Sequence, residues 1–198
     1  MVHEISIRIT NYIASELKLE KSRLDIISYG IEIMLGGLVK WSIFIIVPLL
    51  LGVFKQFITA CIIYMIFRVP SGGRHCSAFY KCLIVSFSIF TAIAFIAKYF
   101  SMAFISSKIL FWFSISTIFI IFLLKAPVDV PQKPILNTSR RNTLKIVSCS
   151  IAVLIPVLFI FLKPSDDLLL ASSLAILFHA FTLTKPGNNF LCWLDNKI

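Results

Sequence analysis

The chain has 198 residues, 59% of them hydrophobic and only 14% charged, with a formal net charge of +10. Soluble domains average about 45–50% apolar and about 25% charged, and the mean hydropathy here is +0.94. That excludes a disordered chain, a nucleic-acid-binding module and an ordinary cytosolic enzyme. It predicts a single all-α, polytopic integral-membrane domain.

Residues 3–29 come first. Ile5, Ile7, Ile9, Ile13, Leu17 and Leu24 alternate with Glu4, Arg8, Glu16, Lys18, Glu20, Lys21 and Arg23. The stretch is too charged to span a bilayer, and predicts an amphipathic helix at the interface or packed on the rest of the protein.

Six apolar runs follow, at 34–54, 57–67, 82–97, 108–124, 146–162 and 168–183. A crossing helix needs about 20 apolar residues. The first, fourth and fifth runs reach or approach that length; the others are shorter. The reading is therefore about six transmembrane or re-entrant helices within 34–183, with four full spans and two re-entrant segments as the alternative. Pro48 and Pro156 fall inside runs and are expected to kink them. Residues 184–198 read as a cytoplasmic tail.

Basic residues orient the chain. With the N-terminus inside and six spans, Arg68, Arg74, Lys81, Lys125, Lys133, Arg140, Arg141 and Lys145 all fall on the inner side. The outer segments hold only Lys55, Lys98 and Lys163. Loops 68–81 and 125–145 are thereby placed in the cytoplasm, and the localisation is the cell membrane. The five cysteines, Cys61, Cys76, Cys82, Cys149 and Cys192, are odd in number and form no CxxC pair. Neither a disulfide framework nor a metal site is expected, and no cofactor is called for.

Chemistry concentrates in 68–82, Arg-Val-Pro-Ser-Gly-Gly-Arg-His-Cys-Ser-Ala-Phe-Tyr-Lys-Cys. Pro70, Ser71, Gly72 and Gly73 are poor helix formers and predict a turn with available backbone N–H groups. A histidine near a cysteine can take the thiol proton, and the thiolate can then attack a carbonyl. Arginine, protonated histidine and a helix N-terminus each favour a thiolate, and Cys82 is expected to have such a setting. The N–H groups of Gly72 and Gly73 are candidates for holding an oxyanion.

Spacing limits the picture. A continuous helix would separate His75 and Cys82 by about 10.5 Å along its axis, beyond hydrogen-bond reach. The turn must therefore fold His75 back over the start of the helix bearing Cys82, for which Ser77 is a candidate N-cap. Cys76 is the second choice of nucleophile, because adjacent helical residues do not face each other. His179, an ionisable group in the last run, is a candidate for function or for structure. Asp129 is a possible orienter of His75.

The pattern Arg68-x-x-x-Gly72-Gly73-x-His75-x6-Cys82 resembles the AgrB family, the membrane cysteine endopeptidases of staphylococcal-type quorum sensing. The later Lys125-Ala-Pro-Val-Asp-Val-Pro-Gln-Lys133-Pro134 resembles that family's basic loop. The resemblance implies cleavage of the C-terminal tail of an AgrD-like precursor, with Cys82 as nucleophile and His75 as base. A thioester on Cys82 is then resolved into a cyclic thiolactone peptide. It implies Arg68 and Gly73 as shared site residues, a homodimer, and a Gram-positive source. Lys125 and Lys133 are candidates for attracting the precursor's acidic tail, although cytoplasmic placement alone accounts for most of the loop's basic residues. A small peptide exporter without covalent catalysis is the competing class, and a structural membrane subunit is a third.

Overall fold

A computed structural model describes residues 2–17, 21–73, 76, 78–100, 106–128 and 137–197. These form helices, joined by turns and one isolated β-bridge, and divide into two compact units at Leu50/Leu51.

The first unit holds α1 (Val2–Leu17) and α2 (Lys21–Leu50). The expected helix over 3–29 is thus shared between two elements: α2 runs from charged residues into the first apolar run without interruption. Helix α1 packs on α2, burying small polar Ser6 and Thr10 while Ile5, Ile7, Ile9 and Tyr12 stay exposed. Thr10 donates its hydroxyl to the Ser6 carbonyl at 2.8 Å, which satisfies that donor within the helix. Ile26, Met34, Leu38, Ile46 and Leu50 are exposed along α2, as suits a helix in lipid.

The second unit contains α3 (Phe54–Ser71), α4 (Phe79–Phe100), α5 (Ser107–Lys125), α6 (Thr138–Leu162), α7 (Asp166–Thr182) and α8 (Lys185–Lys197). Helix α7 is central, packing on α3, α4, α5 and α8, and α3 packs on α4, α6 and α7. Ala171, Ser172, Ala175 and Ala180 are buried on α7; such small side chains let neighbouring backbones approach. Ser172 and Ser173 donate to carbonyls one turn back at 2.8 and 2.7 Å. Phe57, Phe67, Phe122, Ile118 and Ile176 complete the core.

Named contacts give the directions. Gln56 Nε2 donates to Asp167 Oδ2 at 2.6 Å at the starts of α3 and α7, and Ser71 meets His179 at their ends. These two helices are parallel. Helix α5 runs with them, since Phe122 near its end touches Phe67 and His179. Helix α4 runs against α3, with Lys98 donating to the Gly52 carbonyl at 2.7 Å and Tyr64 packing on Phe90. Helix α6 opposes α5, Phe111 stacking on Phe159 at 5.0 Å.

Four helices are long and apolar enough to cross a membrane: α2 (its Leu24–Leu50 part), α4, α5 and α6. Helices α7 and α8 qualify together but are bent by 91°. The chain is therefore an all-α multi-pass membrane protein, with four full-length apolar spans among the described residues, or five with the bent pair, alongside the shorter α3. The second and sixth apolar runs became α3 and α7. These two are shielded by other helices, and shielded segments need not match the bilayer in length or apolarity.

Local chemistry sets the ends. Asn137 caps α6, its side chain accepting from Ser139 N at 2.9 Å and Arg140 N at 3.3 Å. Asp166 and Asp167 open α7, where the helix dipole favours anions. At the α7–α8 bend, Gly187 N donates to Thr184 Oγ1 at 3.2 Å. A Cβ on Gly187 would sit 1.9 Å from the Phe181 carbonyl oxygen, so the bend requires glycine. Helix α8, read as tail from the sequence, folds back onto α7.

Candidate active site

The ends of α3, α5 and α7 meet at one end of the second unit, beside the start of α4. Helix α3 runs straight through Pro70 and Ser71, where a break was expected. Both residues are buried, and tertiary packing outweighs their poor helix propensity. The helix closes one residue later, where Gly72 N donates to the Arg68 carbonyl at 3.0 Å. That N–H is therefore engaged in the helix end, and the part of Gly72 is to shape the turn.

The turn depends on both glycines. Gly72 has φ 77° and Gly73 has φ 117°, values that side-chain-bearing residues rarely adopt. Gly72 bridges to Val128 just beyond α5, with Val128 N donating to the Ser71 carbonyl at 2.9 Å. A Cβ on Gly72 would lie 2.5 Å from the Val128 carbonyl oxygen, and one on Gly73 would lie 2.8 Å from Arg68 Nη1. The spacing Arg68-x-x-x-Gly72-Gly73 thus has a steric meaning: the guanidinium fills the room that a second side chain would need.

Arg68 Nη1 donates to the Tyr64 hydroxyl at 3.0 Å, with the guanidinium 5.6 Å from the Tyr64 ring centre. The Tyr64 ring stacks on Phe178 and meets His179 edge-on at 5.2 Å. Tyr64 also lies within electrostatic range of Cys82. Cys82 is in the first turn of α4, its N–H donating to the Ala78 carbonyl at 3.1 Å, with Sγ 3.8 Å from Ser86 Oγ. The positive end of a helix dipole is a setting that favours a thiolate.

Cys76 lies near Cys82 and within range of the Asp195 carboxylate. Burial pushes the Cys76 thiol above its ordinary value, and the neighbouring Cys82 and Asp195 push the same way. Asp195 is buried on α8, and its backbone carbonyl accepts from Lys81 Nζ at 2.5 Å. Lys125, the last residue of α5, is exposed. His75, Ser77, Asp129 and Lys133 lie outside the described residues. None of the five cysteines forms a disulfide, and among the described residues no group of three His, Cys, Asp or Glu side chains could hold a metal ion.

Three residues around this turn escaped sequence reasoning. Tyr64 carries a weak signal, four positions before Arg68 and so on its face of the helix. Ser71 was visible only as a turn former. Asp195 had no signal, because only the α7–α8 bend brings it here.

A multi-pass helical membrane protein with paired thiols beside an Arg-Gly-Gly turn is the class that fold and site define. The particular family follows from comparison. The sequence profile of AgrB, accessory gene regulator B, matches residues 6–183, and the chain belongs to that family. An AgrB-like protein of Clostridium perfringens strain SM101 is 26% identical over 99% of this chain and 97% of its own length. A second from Clostridium perfringens strain 13 is 29% identical over the same shares. One from Listeria welshimeri is 29% identical over 66% of the chain and 65% of its own length. No solved structure matches.

Proposed function

We propose that the protein is a membrane-embedded cysteine endopeptidase that removes the C-terminal tail of an AgrD-like precursor at the cytoplasmic face. The observation that carries this reading is the position of Cys82. It lies in the first turn of α4, near Cys76, next to a turn made by Arg68, Gly72 and Gly73, in a chain of the AgrB family.

In the reaction His75 accepts the Cys82 thiol proton, and the thiolate adds to the scissile carbonyl. Arg68 and the Gly73 backbone shape the place where the oxyanion develops. Collapse breaks the C–N bond, and the departing tail amine takes the proton back from His75. The remaining peptide is held as a thioester on Cys82. An internal cysteine thiolate of that peptide attacks the thioester, closing a thiolactone ring and releasing Cys82 as a thiolate. One C–S bond forms as another breaks, so the exchange is nearly balanced. A site recessed among helices keeps water from hydrolysing the thioester first.

Asp129 is the carboxylate proposed to orient His75, and Lys125 and Lys133 attract an acidic tail. The cytoplasmic placement rests on the positive-inside rule. Arg68, Lys81, Lys125, Arg140 and Arg141 lie at helix ends on one side of the second unit. A homodimer is part of the same reading.

The test is protein in liposomes with a cognate precursor, products read by intact mass. Wild type is expected to release the tail and yield a thioester adduct or a cyclic peptide, while Cys82→Ala and His75→Ala yield neither. Equal cleavage by Cys82→Ala would end the Cys82 assignment and turn attention to Cys76.

A further inference from the structure

His179 has no part in the mechanism above, yet it is 0% exposed in the core of the second unit. Its ring is held edge-on by Tyr64 at 5.2 Å and by Phe122 at 6.2 Å. Its Nε2 lies 2.7 Å from Ser71 Oγ. Ser71, also 0% exposed, lies 2.7 Å from the Phe67 carbonyl oxygen.

A hydroxyl has one hydrogen, and a carbonyl oxygen can only accept. Ser71 therefore donates to Phe67 and accepts from His179 Nε2–H. This fixes the neutral tautomer with a bare Nδ1, and among the described residues Nδ1 has no hydrogen-bond partner. The opposite tautomer would bury an unmet N–H, which is rarer than an unmet acceptor. A leucine or phenylalanine would fill this space without burying an unmatched polar atom. The chain instead keeps a histidine whose ring bonds to Ser71.

Ser71 is where three elements are tied together. It ends α3, its side chain binds α7 through His179, and its carbonyl accepts from Val128 beyond α5. The next two residues, Gly72 at φ 77° and Gly73 at φ 117°, turn the chain.

We infer that His179 is a positioning residue of this site: through its hydrogen bond to Ser71 it fixes where α3 stops and in which direction the Gly72–Gly73 turn leaves. The inference rests on the peptidase reading above and adds α7 to the working parts of the site. His179 acts through Ser71.

The experiment compares wild type, His179→Phe, His179→Gln, Ser71→Ala and the His179→Phe/Ser71→Ala double variant in liposomes with a cognate precursor. It measures kcat, KM and thermal unfolding. His179→Phe keeps an aromatic ring of similar size and removes the hydrogen bond. Its kcat is expected to fall about 10- to 100-fold with little change in KM, the scale expected when reacting groups are misplaced. His179→Gln, whose amide can donate to Ser71, is expected to recover most of that loss. The double variant is expected to be no worse than His179→Phe, because both changes remove one interaction.

A folded His179→Phe that cleaves at the wild-type rate overturns the inference. So do Phe and Gln variants that lose activity only in step with their melting temperatures. If His179→Phe does not fold, Ser71→Ala carries the test, and a wild-type kcat there overturns the inference. Wild type that cleaves no cognate precursor overturns the peptidase reading, and the positioning role with it.

Discussion

Helices α3 and α7 differ from α4, α5 and α6 in what surrounds them. The outer three expose large apolar side chains, such as Ile109, Phe113, Leu154 and Phe161, to what the fold makes a lipid-facing surface. The inner two each pack on three or more helices and carry polar groups at their contacts: Gln56, Tyr64, Arg68 and Ser71 on α3, Ser172, Ser173 and His179 on α7. A polar atom in hydrocarbon has no partner, whereas one between helices can find another helix or its own backbone. The comparison teaches that a short, imperfect apolar run in a membrane protein can mark the interior of the bundle, whose ends here lie beside Cys82 at the start of the outer helix α4.

The largest effect expected from this contrast is in packing. Phe67→Ala on α3 should cost about 3–5 kcal/mol, because it opens a cavity between α3 and α5. Leu154→Ala on α6, 61% exposed, should change stability by about 0.5 kcal/mol or less. Unfolding of both variants in a mild detergent would show the difference. Similar losses would mean that the outer face is packed against protein.

The turn comes next. Gly72→Ala forces a Cβ to within 2.5 Å of the Val128 carbonyl oxygen at a positive φ. It should destabilise by about 1–3 kcal/mol and reduce precursor cleavage by more than its stability loss explains. An alanine variant with wild-type stability and activity would mean that the Gly72–Val128 bridge does not constrain the turn.

Smaller still is the polar tie at the far end of the inner pair. Gln56→Ala removes the donor to Asp167, a partly buried bond of 2.6 Å, and should cost about 1–2 kcal/mol without affecting cleavage. A change in kcat there would show the whole α3–α7 interface, and not only its site end, to be coupled to the reaction.

The mildest prediction concerns the Cys76 thiol and its response to pH. Cys76 holds its proton more tightly than an ordinary thiol, and only the thiolate is alkylated. Iodoacetamide labelling of Cys76, followed by peptide mass mapping, should be slow near neutral pH. It should keep rising above the pH at which a model thiol has levelled off. A labelling midpoint at or below that of the model thiol would show the thiol to be unhindered and uncoupled from its neighbours.

The sequence by itself determined the class, the family resemblance and the local chemistry. Apolar runs and scarce charge specify membrane helices through transfer energy alone, residue by residue. The Arg68-x-x-x-Gly72-Gly73 spacing was equally legible, because an arginine one turn before a helix end and two glycines at positive φ are short-range requirements. Only the tertiary structure decided that α3 continues through Pro70 and Ser71, since buried contacts overrode weak local propensity. It alone divided the runs into outer spans and inner helices, which length suggested but neighbours settle. It alone brought His179 to Ser71, 108 residues apart in the chain, and Asp195 to the Cys76 region. Such pairings depend on which helix faces meet, and helical periodicity describes each face without saying what it will find opposite.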